Sequence, residues 1–251
     1  MEGTGINNHY VRVAVAQIQG SSVRDETLRK TERLIKEGAA HDVDLICFPE
    51  MLNTDYFCPA KPDWNTVLET KMEDIPGYTT NRLAALAKKY GVYIVAGIAE
   101  RDKTKQAGYN SAVAFDSNGQ LIARYQKLHR DGTEEAYFEP GHMMEPVFSG
   151  PKGLICGLSI CYDRHFPEAS ERVSRAGAEL LLIPVTTAKQ SWTEPIWETE
   201  LKALASIHHI YVAASNRVGK DRHSAVNMTF FGQSMIVSPE GCVAAKASDR
   251  S

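Results

Sequence analysis

Three reactive side chains of this sequence each come shortly after a run of residues typical of a β-strand. Glu50 follows DLICF, Lys127 follows LIARY, and Cys161 ends LICGLSIC. In open α/β sheets, ligands bind beyond the carboxyl ends of strands, so residues from three strands can converge on one pocket. A thiol nucleophile, a carboxylate that moves protons and an ammonium that stabilises an oxyanion together suit attack on a carbonyl. Taken singly, each residue has a simpler interpretation, as a solvated charge or a buried structural cysteine.

The stretch around the cysteine reads LICGLSICYDRHFPE over residues 154–168. Apart from Gly157 and Ser159, every residue from 154 to 161 is apolar, which indicates a strand buried on both faces. Pro167 and Glu168 are typical of the first turn of a helix. We therefore predict that Cys161 sits on a sharp strand-to-helix turn with an exposed sulfur, where a nearby helix N-terminus favours the thiolate.

The elements that must position these residues alternate between strands and helices. The pattern predicts strands at 11–18, 44–48, 92–99, 154–161, 180–185 and 211–215, and helices at 27–40, 81–90, 168–176 and 195–207. Two hairpins are predicted, one of strands 111–115 and 121–125 and one of strands 230–237 and 242–245. The loop with Pro59, Pro62 and Trp64 is expected to form a rim or lid. The first strand–helix–strand unit predicts parallel strands, and the whole pattern predicts one α/β domain, residues 1–251, of two sheets covered by helices.

The charge, the apolar runs and the cysteine spacing of the sequence argue against several classes of protein. The formal net charge is −3 with no basic block, so nothing indicates a nucleic-acid partner or a membrane surface. No apolar run reaches the roughly 18 residues of a membrane span, and the first residues lack a signal-peptide pattern. The five cysteines are widely spaced, which disfavours a disulfide framework or a zinc site and suits a reducing cytoplasm. We predict a cytoplasmic protein that acts on a small molecule.

Three blocks of sequence resemble the nitrilase superfamily of carbon–nitrogen hydrolases. They are FPE at 48–50, KLH at 127–129 and CYDRHFPE at 161–168, and the similarity runs from VAVAQ at 13–17 to FFGQSMIVSPEG at 230–241. The resemblance implies a four-layer α-β-β-α sandwich of two mixed sheets and a catalytic triad of Glu50, Lys127 and Cys161. A second family glutamate best matches Glu134, with Glu135 as the competing alignment. The implied chemistry needs no metal and no organic cofactor.

Within this family, the residues around the cysteine suggest a substrate. Arg164, with KLH and YFEPG at 137–141, resembles enzymes that cut N-carbamoyl amino acids, including β-ureidopropionase-like members. We predict that Arg164 clamps a substrate carboxylate with two hydrogen bonds; the alternatives are pairing with Asp163 or Glu168, or a subunit contact. The backbone N–H of Tyr162 is expected to bind the oxyanion. His129 is expected in the substrate pocket, unless it is a hydrogen-bonded structural histidine.

Other functions stay open on the sequence alone. An ω-amidase-like or N-carbamoylputrescine-type amidase is the enzymatic alternative, and a catalytically silent binding protein of the same fold is the alternative from another class. Nitrile hydrolysis is not expected, because branches acting on nitriles usually read CWE where this chain reads CYD. The resemblance also implies a homodimer or larger homo-oligomer, with helices 168–176 and 195–207 shared across a two-fold axis. Since Ser251 follows the last hairpin closely, we expect the C-terminal tail of the family to be short or missing.

Overall fold

A computed structural model describes residues 10–142 and 147–249 of the chain. Its helices and strands alternate along the sequence largely as the pattern predicts. In chain order the elements are β1 (Val13–Val15), α1 (Arg24–Ala40), β2 (Leu45–Cys47), α2 (Trp64–Thr70), α3 (Tyr78–Tyr90), β3 (Tyr93–Asp102), β4 (Ala107–Phe115), β5 (Leu121–Gln126), β6 (Val147–Ser149), β7 (Ile155–Leu158), α4 (Pro167–Arg175), β8 (Leu180–Val185), α5 (Thr193–His208), β9 (Tyr211–Asn216), β10 (Val218–Gly219), β11 (Phe230–Phe231), β12 (Met235–Val237) and β13 (Val243–Lys246).

The longer strands form two sheets that each mix parallel and antiparallel pairs. The first sheet has the order β1-β2-β3-β4-β5, in which β1, β2 and β3 are parallel. The second has the order β13-β12-β9-β8-β7-β6, with β7, β8 and β9 parallel at its centre. The parallel pairing of β1 with β2 across α1 confirms the strand–helix–strand unit predicted from the sequence.

The two sheets pack face to face, and helices cover their outer faces. Successive strand residues point to opposite faces, so each strand contributes to two layers of the core. On β2, Leu45 and Cys47 belong to the cluster that joins both sheets, whereas Ile46 packs with Ile35 of α1 and Leu83 of α3. Helices α4 and α5 pack on the second sheet in the same way. The layers are therefore α-β-β-α, and the predicted four-layer sandwich is confirmed.

The loop with Pro59, Pro62 and Trp64, expected to form a rim or lid, is half-buried and follows a buried aromatic stretch. Tyr56, Phe57 and Cys58 are buried in a third apolar cluster, and α2 follows them. The side chain of Asp63 caps this helix by accepting a hydrogen bond from the backbone N–H of Thr66 at 3.0 Å. Tyr56 and Phe57 fix the start of the loop by burying apolar surface, and Trp64 packs on the same cluster while it remains partly buried. A role of the loop as a rim or lid stays a prediction.

The predicted strand at 230–237 is split in two. β11 pairs with β10, whereas β12 pairs with β9 and β13. The break falls at Gly232 and Gln233, which have φ of 68° and 54° and so cannot continue an extended strand. The chain therefore changes partners within a segment whose apolar pattern suggested one strand.

Two findings concern the described residues alone. No helix among them is long and apolar enough to cross a membrane. They also contain no group of three or more His, Cys, Asp or Glu side chains arranged to hold a metal ion.

Candidate active site

Cys161 occupies a sharp turn between β7 and α4. A single turn of 3-10 helix spans Cys161–His165, and α4 begins at Pro167. Cys161 has a φ of 43°, a left-handed conformation that is uncommon and strained for a residue with a side chain. The predicted turn is confirmed, but the predicted exposure of the sulfur is wrong. The segment after β8, which contributes Thr187 and Trp192 to the same cavity, packs over the turn and leaves Cys161 only 9% exposed.

Glu50 lies in the loop after β2, in close contact with β3. Gly97 of β3 permits this approach, because a Cβ at position 97 would lie 2.4 Å from the Cα of Glu50. Two backbone hydrogen bonds fix the loop: Gly97 N donates to Pro49 O at 3.1 Å, and Leu52 N donates to Gly97 O at 2.7 Å. The Glu50 side chain is fully buried as a result.

Lys127 joins two buried carboxylates. It follows β5 directly, and its Nζ donates to Glu50 Oε1 at 2.8 Å and to the two oxygens of Glu134 at 2.9 and 2.8 Å. Asn110 on β4 ties the same carboxylates together, because its Nδ2 donates to Glu50 Oε1 at 2.7 Å and to Glu134 Oε1 at 3.0 Å. Glu135 is exposed. The structure thus places Glu134, and not Glu135, beside Lys127.

One oxygen of Glu50 lies outside this network. Over residues 10–142 and 147–249, Oε2 of Glu50 has no hydrogen-bond partner although it is buried. Buried polar atoms are nearly always satisfied, so an unpartnered carboxylate oxygen needs an explanation. An oxygen in this condition is available to accept a proton.

Burial dominates the electrostatics of the site. It opposes the charge on Lys127, but the carboxylates of Glu134 and Glu50 outweigh it and raise the pKa of Lys127 well above its usual value. Burial raises the pKa of Glu134 to about 7, with Lys127 opposing and Glu50 adding to the shift. Burial also raises the pKa of the Cys161 thiol to about 12. Burial therefore outweighs the nearby helix N-terminus that was expected to favour the thiolate, and the sulfur needs a base to lose its proton at neutral pH.

A cavity of about 100 Å³ opens onto Cys161. On this measure a water molecule takes roughly 10–15 Å³, so the cavity admits only a small molecule. The turn carrying Cys161 and the segment after β8 line most of it. Its wall includes Tyr162, Arg164, His165, Thr187, Trp192, Tyr56 and Asp131.

The structure does not support Arg164 as a clamp for a substrate carboxylate. The guanidinium is already bound within the protein: Nε donates to Glu200 Oε2 at 3.1 Å, and Nη1 donates to the carbonyl oxygen of Cys161 at 2.8 Å. It also lies over the ring of Trp197, and only 1% of the side chain is exposed. Pairing with an acid, the alternative weighed for this residue, is what the structure shows. The acid is Glu200 of α5 rather than the sequence neighbours Asp163 and Glu168.

Of the two other residues expected to bind substrate, one lines the cavity and the other does not. Tyr162 follows the nucleophile candidate directly and lines the cavity, and the oxyanion role of its backbone N–H stays a prediction. His129 does not line it: its ring stacks on Phe166 with centroids 3.7 Å apart, and its Nδ1 lies 3.0 Å from Asp163 Oδ1. Asp163 also accepts hydrogen bonds from Tyr125 Oη and from the backbone of Ile160, so these contacts brace the turn. His129 is a structural histidine in this arrangement.

Sequence reasoning missed Asn110 and Thr187. Asn110 stands in the buried strand AGYNSAVAF, where an amide side chain has to find a buried partner. An amide side chain within an otherwise apolar strand was therefore the feature that could have indicated Asn110. Thr187 gave no comparable signal, because a threonine after a strand is ordinary.

Comparison with known proteins identifies the family of this chain. The chain matches the carbon–nitrogen hydrolase family over residues 12–251. It belongs to that family and is a hydrolase acting on amides rather than on peptide bonds.

Individual proteins of known name or structure resemble the chain over most of its length. Omega-amidase NIT2 from Xenopus tropicalis is 32% identical over 246 residues, which cover 94% of this chain and 84% of the relative. N-carbamoylputrescine amidase from Arabidopsis thaliana is 32% identical over 233 residues, covering 88% and 76%. The crystal structure of a carbon–nitrogen hydrolase from Helicobacter pylori G27 superposes with a TM-score of 0.81 at 27% identity, covering 96% of this chain and 86% of that one.

Proposed function

We propose that this protein hydrolyses a carbon–nitrogen bond of a small linear amide or ureido compound, with Cys161 as nucleophile and a thioester as intermediate. One observation carries the proposal. The buried Lys127 is bonded to Glu50 and Glu134, while Glu50 keeps one unpartnered oxygen, all close enough to Cys161 to shift its pKa. A binding protein without catalytic activity would not require a buried charge cluster of this cost next to a thiol.

In the first half of the reaction, Glu50 accepts the thiol proton and the sulfur attacks the carbonyl carbon. Because the pKa of Cys161 is raised to about 12, proton transfer to a positioned base has to accompany the attack. The negative charge that develops on the carbonyl oxygen is stabilised by the ammonium of Lys127 and the backbone N–H of Tyr162. Glu50 then gives its proton to the leaving nitrogen, the carbon–nitrogen bond breaks, and ammonia departs.

In the second half, water cleaves the thioester. Glu50 takes one proton from the water, the resulting hydroxide attacks the thioester carbon, and the carbon–sulfur bond breaks. The thiolate recovers a proton from Glu50, so the site returns to its starting state. Glu134 binds Lys127 throughout and keeps the ammonium in place, which makes it a positioning residue.

The cavity favours an uncharged or cationic substrate over an N-carbamoyl amino acid. Its one arginine is already paired with Glu200, so no arginine or lysine of the described wall is free to bind a carboxylate. Asp131, on the same wall, accepts hydrogen bonds from Tyr56 and Thr133, and these bonds lower its pKa although burial opposes the charge. An ionised acid at the wall attracts an ammonium group. We therefore propose a small N-carbamoyl amine, of the type named for the Arabidopsis relative, ahead of N-carbamoyl amino acids and ω-amides.

Ammonia release from a matched panel tests this function. The panel contains N-carbamoylputrescine, N-carbamoyl-β-alanine, a monoamide of a dicarboxylic acid and a nitrile. We expect hydrolysis of the first three, fastest for N-carbamoylputrescine. We expect Cys161→Ala to abolish turnover and Cys242→Ala, at an exposed cysteine, to keep it. Undiminished activity in Cys161→Ala contradicts the thiol mechanism, and a wild type inactive on the whole panel supports the silent binding protein.

We also propose that the protein self-associates through the surface of α4 and α5. Ile207 of α5 is 69% exposed and lies at the edge of a groove that also contains Pro167, Ala203 and Leu204. Light scattering at micromolar concentration is expected to give at least twice the chain mass of 27.8 kDa. Ile207→Glu is expected to lower that mass, whereas Leu121→Glu, at an exposed leucine of β5, should not. A wild-type mass of one chain contradicts the proposal.

A further inference from the structure

The sulfur of Cys161 contacts two polar side chains that the reaction above does not use. Thr187 Oγ1 lies 3.7 Å from Sγ, and Nη1 of Arg164 lies 3.8 Å from it. Both distances are within the range of hydrogen bonds to sulfur, which are longer than those to oxygen. A thiol can donate to the threonine oxygen, but a thiolate has no proton to give, so only the hydroxyl and the guanidinium can donate to it.

The guanidinium of Arg164 is held in one orientation. Its Nε donates to Glu200, its Nη1 donates to the carbonyl oxygen of Cys161, and its Cζ lies 5.3 Å from the ring centroid of Trp197. Arginine is the residue best suited to such a buried, multiply bonded position, because its charge is delocalised over a rigid fork. These contacts keep a permanent positive charge beside the sulfur without any contribution from substrate.

The hydroxyl of Thr187 is positioned by its own backbone. The backbone N–H of Thr187 donates to Asn216 Oδ1 at 2.9 Å, which fixes the residue at the end of β8. Within the described residues, the recorded hydrogen-bond partner of its hydroxyl is the sulfur of Cys161. The side chain is buried in the cavity wall, where water competes poorly for the same bond.

The surroundings of the sulfur show why such donors matter. Glu50, Lys127, Glu134 and Arg164 all act on Cys161 electrostatically, and Asp131 and His165 share its cavity. Two carboxylates share the charge of Lys127, and His165 is bonded to Glu200. Arg164 and Thr187 are therefore the donors in contact with the sulfur that are not taken up by the Glu50–Lys127–Glu134 cluster.

We propose that Arg164 and Thr187 are catalytic residues that stabilise the thiolate of Cys161 by donating hydrogen bonds to its sulfur. The proposal rests on the function above in taking Cys161 as the nucleophile. It assigns Arg164 to stabilising that nucleophile rather than to binding a substrate carboxylate. As the thiol proton passes to Glu50, the threonine hydroxyl turns to donate and the guanidinium bond strengthens. The same donors stabilise the thiolate again when it leaves the thioester.

Alkylation by iodoacetamide tests the proposal without any substrate turnover. The reagent is a small neutral amide; the sulfur–carbon bond forms and iodide leaves. We would follow the alkylation rate of Cys161 between pH 7 and 9 by peptide mass, in a Cys242→Ser background that removes the exposed cysteine. Thr187→Val has nearly the same shape without the hydroxyl and is expected to slow alkylation about tenfold, the effect of one hydrogen bond to a charged group. Thr187→Ser, which keeps the hydroxyl, should restore the rate.

Arg164→Met provides the second measurement. It should slow alkylation at least as much as Thr187→Val and should lower kcat equally for N-carbamoylputrescine and N-carbamoyl-β-alanine. If Arg164→Met raises KM for N-carbamoyl-β-alanine alone and leaves the alkylation rate unchanged, Arg164 binds the substrate carboxylate and does not stabilise the thiolate. Equal slowing in Thr187→Val and Thr187→Ser, or no slowing in either, overturns the role of the hydroxyl even if Arg164→Met fails to fold. If both variants slow alkylation as expected but the wild type hydrolyses no amide, the proposed function fails, whereas stabilisation of the Cys161 thiolate by Arg164 and Thr187 is still supported.

Discussion

Replacing Glu50 by glutamine is expected to lower kcat for amide hydrolysis by about a thousandfold. General acid–base catalysis contributes about 10² to 10⁴ in rate, and the upper part of this range applies because the pKa of the Cys161 thiol is raised to about 12 by burial. Without a base, only a minute fraction of the sulfur is thiolate at neutral pH. Glutamine still offers an oxygen to Lys127 and Asn110, so the network of the site should survive while proton transfer is lost.

The control for this variant is Glu135→Gln. Glu135 is an exposed glutamate next to the charge cluster, and its loss should leave kcat within about twofold of wild type, as for surface substitutions generally. Initial rates on the best substrate of the panel, with unfolding curves to show that both variants fold, make the comparison. A Glu50→Gln enzyme that keeps more than a tenth of wild-type kcat would mean that another group accepts the thiol proton.

The main site residues were predictable because their signals are local. Glu50 and Lys127 follow strands of the first sheet and Cys161 follows a strand of the second, and each strand is visible as an apolar run in the sequence. Face-to-face packing of the two sheets then brings the ends of these strands together. Strand ends and sheet packing thus indicate that the three residues can converge, whereas their assignment as a triad came from the resemblance to the carbon–nitrogen hydrolases.

The partners of the site residues were not predictable in the same way. Arg164 is paired with Glu200, which lies 36 residues further along the chain on α5. A contact between two elements far apart in the chain produces no repeating pattern in the sequence. The sequence therefore indicated only the neighbouring acids Asp163 and Glu168 as partners. The exposure of Cys161 was misjudged for the same reason, because the residues that cover it come from the segment after β8. Local sequence patterns indicate which element carries a residue, whereas tertiary packing determines the contacts of its side chain.

Arg217 links the two halves of the sandwich beneath the loop that carries Glu50. It is 1% exposed, and its Nη2 donates to three carbonyl oxygens of the loop after β2: Glu50 at 3.2 Å, Met51 at 2.6 Å and Thr54 at 2.7 Å. Its Nη1 is paired with the buried Asp221. Met51 has a φ of 52°, so these bonds hold the loop in a conformation that it would not adopt alone.

Arg217→Leu is therefore expected to lower the free energy of unfolding by about 3–5 kcal/mol, the usual cost of breaking a buried ion pair from one side. The variant leaves Asp221 buried without its cation, and Thr54 O loses its donor, whereas Glu50 O and Met51 O keep hydrogen bonds from Thr186 Oγ1 and Thr54 N. Arg175→Leu is the matched control, because it breaks an ion pair with Glu171 in which the arginine is 77% exposed, and such pairs contribute little. Urea unfolding followed by tryptophan fluorescence measures both.

A double variant separates the charge from the packing. Arg217→Leu combined with Asp221→Leu removes the orphaned carboxylate, so part of the lost stability should return, since an apolar pair often replaces a buried ion pair without loss. Recovery cannot be complete, because Thr54 O still lacks the donor that Arg217 supplied and Tyr56 N loses the oxygen of Asp221 that accepts its hydrogen bond at 2.8 Å. If Arg217→Leu is no less stable than Arg175→Leu, the loop that carries Glu50 is held by its contacts with β3 alone, and Arg217 has no part in placing the base.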